Sequence, residues 1–313
     1  MITLAIVLPC YNEEEILIES TEKLRKLLIS LMEKEKISLN SFFLYVNDGS
    51  TDSSWEIIEN LHQKNEFVKG INLAKNSGHQ NAIMAGMMFA KDISDAVITI
   101  DADLQDDLNA IEKMIDEHNK GYEIIYGVKT SRKADPIFKR LSAISFYKIQ
   151  ALMGINCIYN HADFRFMSKK ALNMLAEYQE RNLYLRALIP QIGLKSTTVD
   201  DVINKRTAGN SKYTLTKMLE LCFDGITSFT VKPVRFLFIM GLIMIFISII
   251  ELIYVIYTYF SGNTVPGWAS IILSIWFTSG CILTGLGIIG EYIGKLYIEA
   301  KKRPRYNIES ILF

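Results

Sequence analysis

The stretch Ala96-Val97-Ile98-Thr99-Ile100-Asp101-Ala102-Asp103-Leu104-Gln105-Asp106 passes from five strand-forming residues to three carboxylates within eleven positions. A short run rich in β-branched side chains that ends in polar turn residues is the pattern of a buried strand. Carboxylates at its end lie where the chain leaves the sheet. Asp101-x-Asp103, with Gln105 following, offers hard oxygen ligands at the close spacing that a divalent ion bridging a diphosphate needs. The same spacing is common in solvated turns, so its weight comes from the strand before it.

Working outward, similar runs at 4–8, 42–46, 68–73 and 123–126 alternate with helical patterns at about 13–36, 52–64, 79–91 and 108–119. This alternation predicts an α/β domain with a mostly parallel, Rossmann-like sheet and helices on its faces. Ligands of such sheets gather beyond the carboxyl ends of the strands. Here those ends carry Pro9-Cys10-Tyr11-Asn12-Glu13, Asn47-Asp48-Gly49-Ser50-Thr51-Asp52 and Asn76-Ser77-Gly78-His79-Gln80. Gly49 permits a tight turn, and the carboxylates of Asp48 and Asp52 can accept hydrogen bonds from a ribose or base. Asp52 reads equally well as the N-cap of a helix beginning near Ser53. His79 and His161 show no metal-ligand spacing and receive no role.

Lys+Arg and Asp+Glu each total 34 among the 313 residues, which argues against a protein held to nucleic acid by its overall field. Cys10, Cys157, Cys222 and Cys281 are scattered, without the C-x-x-C spacing of a zinc site, and fit a reducing compartment. The first residues are apolar but lack a basic leader and run into Glu13-Glu14-Glu15, so they read as a strand and not a signal peptide.

After Val231 the composition changes. Residues 236–260 contain one charge, Glu251, and residues 268–290 contain none. At about 1.5 Å per residue each run exceeds a hydrocarbon core of ~30 Å. Glu251 is by default a functional candidate within such a span. Lys232 and Arg235 precede the first run, Lys295, Lys301, Lys302, Arg303 and Arg305 follow the second, and residues 261–267 have no Lys or Arg. The positive-inside bias places both termini in the cytoplasm and a short loop outside. Two amphipathic stretches, with Ile137, Leu141 and Ile144 in one and Leu215, Met218, Cys222 and Ile226 in the other, read as core or as helices on the bilayer surface. The second leads directly into the first span, which favours the surface. The expected organisation is a cytoplasmic catalytic domain at 1–212, an interface helix at 213–231, two spans within 232–292 and a basic cytoplasmic tail at 293–313.

Pro9-x-Tyr11-Asn12-Glu13, Asp48-Gly49-Ser50-x-Asp52, Asn76-x-Gly78, Asp101-Ala102-Asp103-Leu104-Gln105, Asp163-Phe164-Arg165, Glu180-Arg181-Asn182 and Arg206-x-x-Gly209-x-Ser211-Lys212-Tyr213 follow one another along the chain. In this order they resemble glycosyltransferase family 2, and within it the polyprenyl-phosphate glycosyltransferases. The resemblance implies a GT-A fold and inverting transfer of a single sugar, glucose from UDP-glucose, to undecaprenyl phosphate at the cytoplasmic face of the inner membrane. It implies that Pro9, Tyr11, Glu13, Asp48 and Asp52 bind the nucleotide sugar. Asp101, Asp103 and Gln105 would hold Mg²⁺ or Mn²⁺, and Lys129, Arg140, Arg206 and Lys212 would meet the acceptor phosphate. Asp163 is either a catalytic base or acceptor-orienting group, or the partner of Arg165 in a salt bridge. Asn47 stands where the family usually has Asp, and Lys129 where Arg is common. A processive polysaccharide synthase is the enzymatic alternative, but Gln179-Glu180-Arg181-Asn182-Leu183 lacks the Trp of the Gln-x-x-Arg-Trp motif. The other alternative is an inactive sugar-nucleotide-binding membrane protein, against which the intact Asp101, Asp103 and Gln105 speak. Whether the chain forms a homo-oligomer is left open.

Overall fold

The computed structural model describes residues 1–129, 153, 158, 160–202, 227–228, 230–261 and 267–313. Its centre is β1 (Leu4–Cys10), all seven residues of which are buried. Parallel to it run β2 (Phe42–Asn47) and, beyond that, β3 (Val68–Leu73); on its other side lies β4 (Ala96–Thr99), also parallel. Next come β6 (His161–Ser168), antiparallel to both β4 and β5 (Ile124–Lys129), and then β7 (Ser196–Asp201), parallel to β5. With β8 (Ile308–Leu312) antiparallel on β3, the mixed sheet has the order β7-β5-β6-β4-β1-β2-β3-β8. Strand order reverses between β1 and β4, so their carboxyl ends open the crevice in which open α/β sheets bind ligands.

Successive side chains of a strand face opposite sides, and the two cores follow from this. Leu4, Ile6 and Leu8 of β1 pack with Leu24 and Leu28 of α1 (Leu17–Glu33), Ile58 of α2 (Ser54–Lys64) and Ile111 of α4 (Asn109–Asn119). Ala5 and Val7 face α3 (His79–Ile93), α5 (Lys169–Ala176) and α6 (Leu185–Gln191), which contribute Ala82, Leu172 and Leu188. In α1 the buried Leu17, Leu24, Leu28 and Leu31 recur at helical spacing, while Glu19 and Lys23 pair on the outer face.

The sequence places the first five strands within a few residues of their observed bounds but assigns none at 161–168, 196–201 or 308–312. In β6 the polar Asp163 and Arg165 alternate with Phe164 and Phe166, and all four are buried. A strand with charged groups on a buried face lacks the apolar pattern that identifies one. Residues 293–313, expected as a basic tail, instead hold the end of α8 (Trp268–Ala300) and the strand β8.

Two long helices leave the sheet domain, α7 (Lys232–Phe260) and α8. Their ends are joined: Tyr292 Oη donates to the Thr230 carbonyl at 2.6 Å, and Lys295 Nζ donates to the hydroxyls of Thr227 at 2.5 Å and Ser228 at 3.0 Å. Phe236, Phe238 and Ile253 of α7 and Trp276, Leu283 and Leu296 of α8 are exposed. Among the described residues one helical segment, Ser274–Ala300, is long and apolar enough to cross a membrane, and none of its apolar window is buried. The first expected span, 236–260, falls on α7, of which no described segment meets that test, so one candidate span stands where two were expected. The two amphipathic stretches lie largely outside the described residues.

Gly86 marks where α3 lies against the sheet. A Cβ there would stand 2.8 Å from Val46 Cγ2 and closer still to Val7 Cγ1. Gly86→Val should therefore overpack the core by about 1–3 kcal/mol, beyond any gain in helix propensity of up to ~1 kcal/mol. Thermal unfolding of the purified protein should show a melting temperature lower by several degrees. An unchanged value would mean that α3 does not sit this close to β1.

Candidate active site

The loops after β1 and β2 are fastened to each other. Asn12, in the left-handed region at φ 54°, donates its N–H to Ser50 Oγ at 3.0 Å, and its side-chain oxygen accepts from Thr51 N–H at 2.9 Å. Glu13 N–H donates to Ser54 Oγ at 2.9 Å. Asp52 accepts from Ser54 N–H at 3.0 Å and Glu14 N–H at 3.3 Å. Burial presses the Asp52 carboxyl upward, but these hydrogen bonds prevail and hold it below its ordinary range. Asp52 thus ties the two loops, and the helix it precedes has Ser53 as its N-cap.

Asp48 reaches the third loop. Its two carboxylate oxygens accept from Ser77 N–H at 2.7 Å and Gly78 N–H at 3.0 Å. Burial raises its pKa despite those bonds. Gly49 has φ +64°, and a Cβ there would lie 2.5 Å from the Asn76 nitrogen, so the β2 loop passes directly over the β3–α3 loop. Asn47 donates to Asn72 Oδ1 at 2.7 Å and accepts from Ser50 Oγ at 2.5 Å. Pro9 is buried opposite Val46, and Tyr11 is 39% exposed at the rim.

Gly78 is followed by the first residue of α3, His79. Its Nε2 lies 3.6 Å from Asp101 Oδ1 and 3.5 Å from Asp163 Oδ2. Below it, Asp163 receives Arg165 Nη2 at 2.5 Å, Arg186 Nη2 at 2.9 Å and Arg186 Nε at 3.4 Å. Burial would raise the Asp163 pKa; Arg186, His79 and Arg165 overcome it and hold this carboxyl well below the usual range. Burial likewise presses the His79 imidazolium down, but Asp163 and Asp101 raise its pKa above the ordinary value. The salt bridge between Asp163 and Arg165 is thus present. It follows from the i, i+2 spacing, which puts both side chains on one face of β6. Arg186 and His79 were not legible as part of this group, because they come from α6 and α3 and meet only in the fold.

Asp101 is half exposed. Displacement of water raises its pKa, as do the like charges of Asp163 and Asp103, while His79 opposes them. Gln105 Nε2 donates to Asp103 Oδ2 at 2.5 Å across the left-handed Leu104, φ 46°. Behind this turn Asp106 is buried; burial and the charge of Asp101 push its carboxyl up to about 8 even with Lys129 Nζ at 3.8 Å. Asp201 Oδ1 accepts Asp107 N–H at 2.8 Å and closes the turn from β7. Among the described residues no three His, Cys, Asp or Glu side chains gather as a complete metal cage. Asp101 and Asp103 nevertheless suit Mg²⁺ or Mn²⁺, which are held by one or two carboxylates with phosphates and water supplying the rest. The repulsion from Asp163 and Asp103, which adds to the effect of burial on Asp101, is what a cation there relieves. Arg140, Arg206 and Lys212 lie outside the described residues.

Residues 5–175 match the model of glycosyl transferase family 2. The chain belongs to this family. It is 46% identical over 310 residues to the uncharacterized glycosyltransferase YkoT of Bacillus subtilis, covering 99% of this chain and 92% of that protein. It is 33% identical over 312 residues to the bactoprenol glucosyl transferase of Shigella phage SfX, covering 98% of this chain and 99% of that protein. Similar values hold for the prophage bactoprenol glucosyl transferase homolog of Escherichia coli, with 33% identity over 310 residues and coverage of 98% and 99%. The family 2 chain is accordingly a sugar-transferring enzyme.

A buried carboxylate paired with two guanidiniums loses its partnership on neutralisation. Asp163→Asn should cost about 3–5 kcal/mol, because it leaves buried cations uncompensated. The folded pKa is depressed, so the stabilisation is complete above the unfolded value of about 3.9 and is lost as pH falls through the lower folded value. Denaturant titrations should show a gap between native protein and variant that is largest near pH 5, narrows below about pH 4 as Asp163 protonates, and narrows again above about pH 6.5 as His79 loses the proton that Asp163 holds on it. A gap that widens below about pH 4 would contradict the pairing.

Proposed function

We propose that this family 2 enzyme transfers one glucose from UDP-glucose to undecaprenyl phosphate, with inversion at the anomeric carbon, at the cytoplasmic face of the membrane. The observation that carries this reading is the end-to-end similarity to bactoprenol glucosyl transferase, which includes both long apolar helices. The joined ends of α7 and α8, and the return of the chain into β8, support two crossings with both termini on the side of the catalytic domain.

The lipid phosphate is the nucleophile. A phosphate monoester has a second pKa near 6, so at neutral pH its oxygen already carries the electron pair that attacks the anomeric carbon while the bond to the nucleoside diphosphate breaks. No proton has to be removed. Asp163 would in any case be a weak base, since its conjugate acid lies far below neutrality. Its role in this reading is to fix His79 and Arg186 at the floor of the crevice. Asp101, Asp103 and Gln105 would hold the divalent ion, which when bound neutralises charge on the departing diphosphate. Pro9, Tyr11, Glu13 and Asp48 frame the nucleotide, Asp48 and Asp52 by keeping three loops in register. Lys129, Arg140, Arg206 and Lys212 meet the acceptor phosphate; Lys129 supplies charge without the bidentate fork of Arg.

Purified full-length protein given undecaprenyl phosphate and a panel of labelled nucleotide sugars should move label from UDP-glucose into the lipid extract, one sugar per lipid. Asp103→Asn, or excess chelator, should reduce this by orders of magnitude while nucleotide-free stability is kept. Label in a polymer, or none in lipid with any donor, would overturn the reading.

A further inference from the structure

The chain leaves α8 through Lys301, Lys302, Arg303, Pro304 and Arg305 before entering β8. Lys302 is left-handed, at φ 47°, the conformation that ends a helix and turns the chain aside. The return is fixed to the sheet where Ala74 N–H donates to the Asn307 carbonyl at 2.9 Å. Between this segment and the β3–α3 loop lies a cavity of ≈ 380 Å³, lined by residues 75–77 and 303–307.

Its charge is one-sided. Lys75, Arg303 and Arg305 line it, and among the described residues no carboxylate does. Arg305 is engaged, donating from Nη2 to the Tyr178 carbonyl at 2.5 Å, with Glu180 and Glu299 near it. Glu299 itself accepts from Arg181 N–H at 2.6 Å and Asn182 N–H at 2.9 Å. Lys75 and Arg303 are exposed, and among the described residues neither side chain makes a hydrogen bond or ion pair. The catalytic crevice is arranged differently, with its buried carboxylate already matched by cations from the protein. Here two cations share a concave space with no counter-charge among the described lining residues, beside the Asn76 amide and Ser77 hydroxyl.

We propose that this cavity binds a phosphate group, carried either by the headgroup of an anionic membrane lipid or by a small soluble phosphate. It lies directly after Ser274–Ala300, the helix able to cross a bilayer, where a cluster of Lys and Arg meets anionic headgroups. Its other wall is the loop whose Ser77 and Gly78 N–H groups bind Asp48 and which leads into His79. A phosphate seated here braces that loop against the end of α8. The site therefore links the membrane boundary to the donor side of the crevice, whichever sugar the enzyme transfers.

The test is equilibrium binding to the full-length protein in maltoside micelles containing phosphatidylcholine, titrated with labelled phosphatidylglycerol and, separately, with inorganic phosphate. Saturable binding of either should weaken about tenfold or more in Lys75→Ala and in Arg303→Ala, as expected when a hydrogen bond between charged groups is removed. Both variants should melt like the native protein, since their side chains are exposed and without partners. Binding of phosphatidylglycerol in preference to phosphatidylcholine identifies the lipid as the source; binding of inorganic phosphate without that preference identifies a soluble one. No saturable binding of either probe, or binding that both variants retain in full, overturns the proposal.

Discussion

The side chain of Asp163 has 7% of its surface exposed and keeps its charge because Arg165 from β6, Arg186 from α6 and His79 from α3 converge on it. A carboxylate removed from water in this way is tolerated only when paired and hydrogen-bonded. The requirement reaches through the fold. It fixes the register of β6 between β4 and β5, brings the start of α6 against the sheet and holds His79 next to Asp101. Thr99 at the end of β4 adds a hydrogen bond from Oγ1 to the Asp163 carbonyl at 2.5 Å. The floor of the crevice is thus built around one anion, and the acidic turn at Asp101–Asp103 sits above it.

That arrangement decides what the crevice can do. Asp163 is saturated by cations, Asp52 and Asp48 are occupied with backbone N–H groups, and Asp106 is buried behind the turn. Asp101 and Asp103 flank the opening, and the Asp101 carboxylate feels the charges of His79 and Lys129 as well as the repulsion of Asp103 and Asp163. A site with this distribution is suited to positioning a diphosphate through a cation and to receiving a nucleophile that arrives already ionised.

The parallel half of the sheet was readable in the sequence because its strands are apolar, short and bounded by turns, and the polar loops at their ends marked the crevice. β6 and β8 were not, for opposite reasons. β6 buries charged residues that look like a loop, and β8 follows a basic stretch that looks like a solvated tail. Asp163 and Arg165 were visible as a pair by their spacing. Their partners Arg186 and His79 were not, since nothing local in Leu185-Arg186-Ala187 or Gly78-His79-Gln80 distinguishes a clamp from a surface residue. Likewise, the hydrogen bonds of Glu299 to the backbone of Arg181 and Asn182 join positions more than a hundred residues apart, beyond the reach of any periodicity.

The central claim is that the acceptor phosphate acts as its own nucleophile, with no protein base. It is tested most directly by the pH dependence of kcat/KM for the lipid acceptor, compared between undecaprenyl phosphate and a phosphonate analogue whose second pKa is higher. This parameter reports ionisations of the free enzyme and free substrate. The account predicts that the acidic limb moves upward with the acceptor's own pKa. A limb that stays in place for both acceptors would assign it to a protein group acting as base, and would contradict the account.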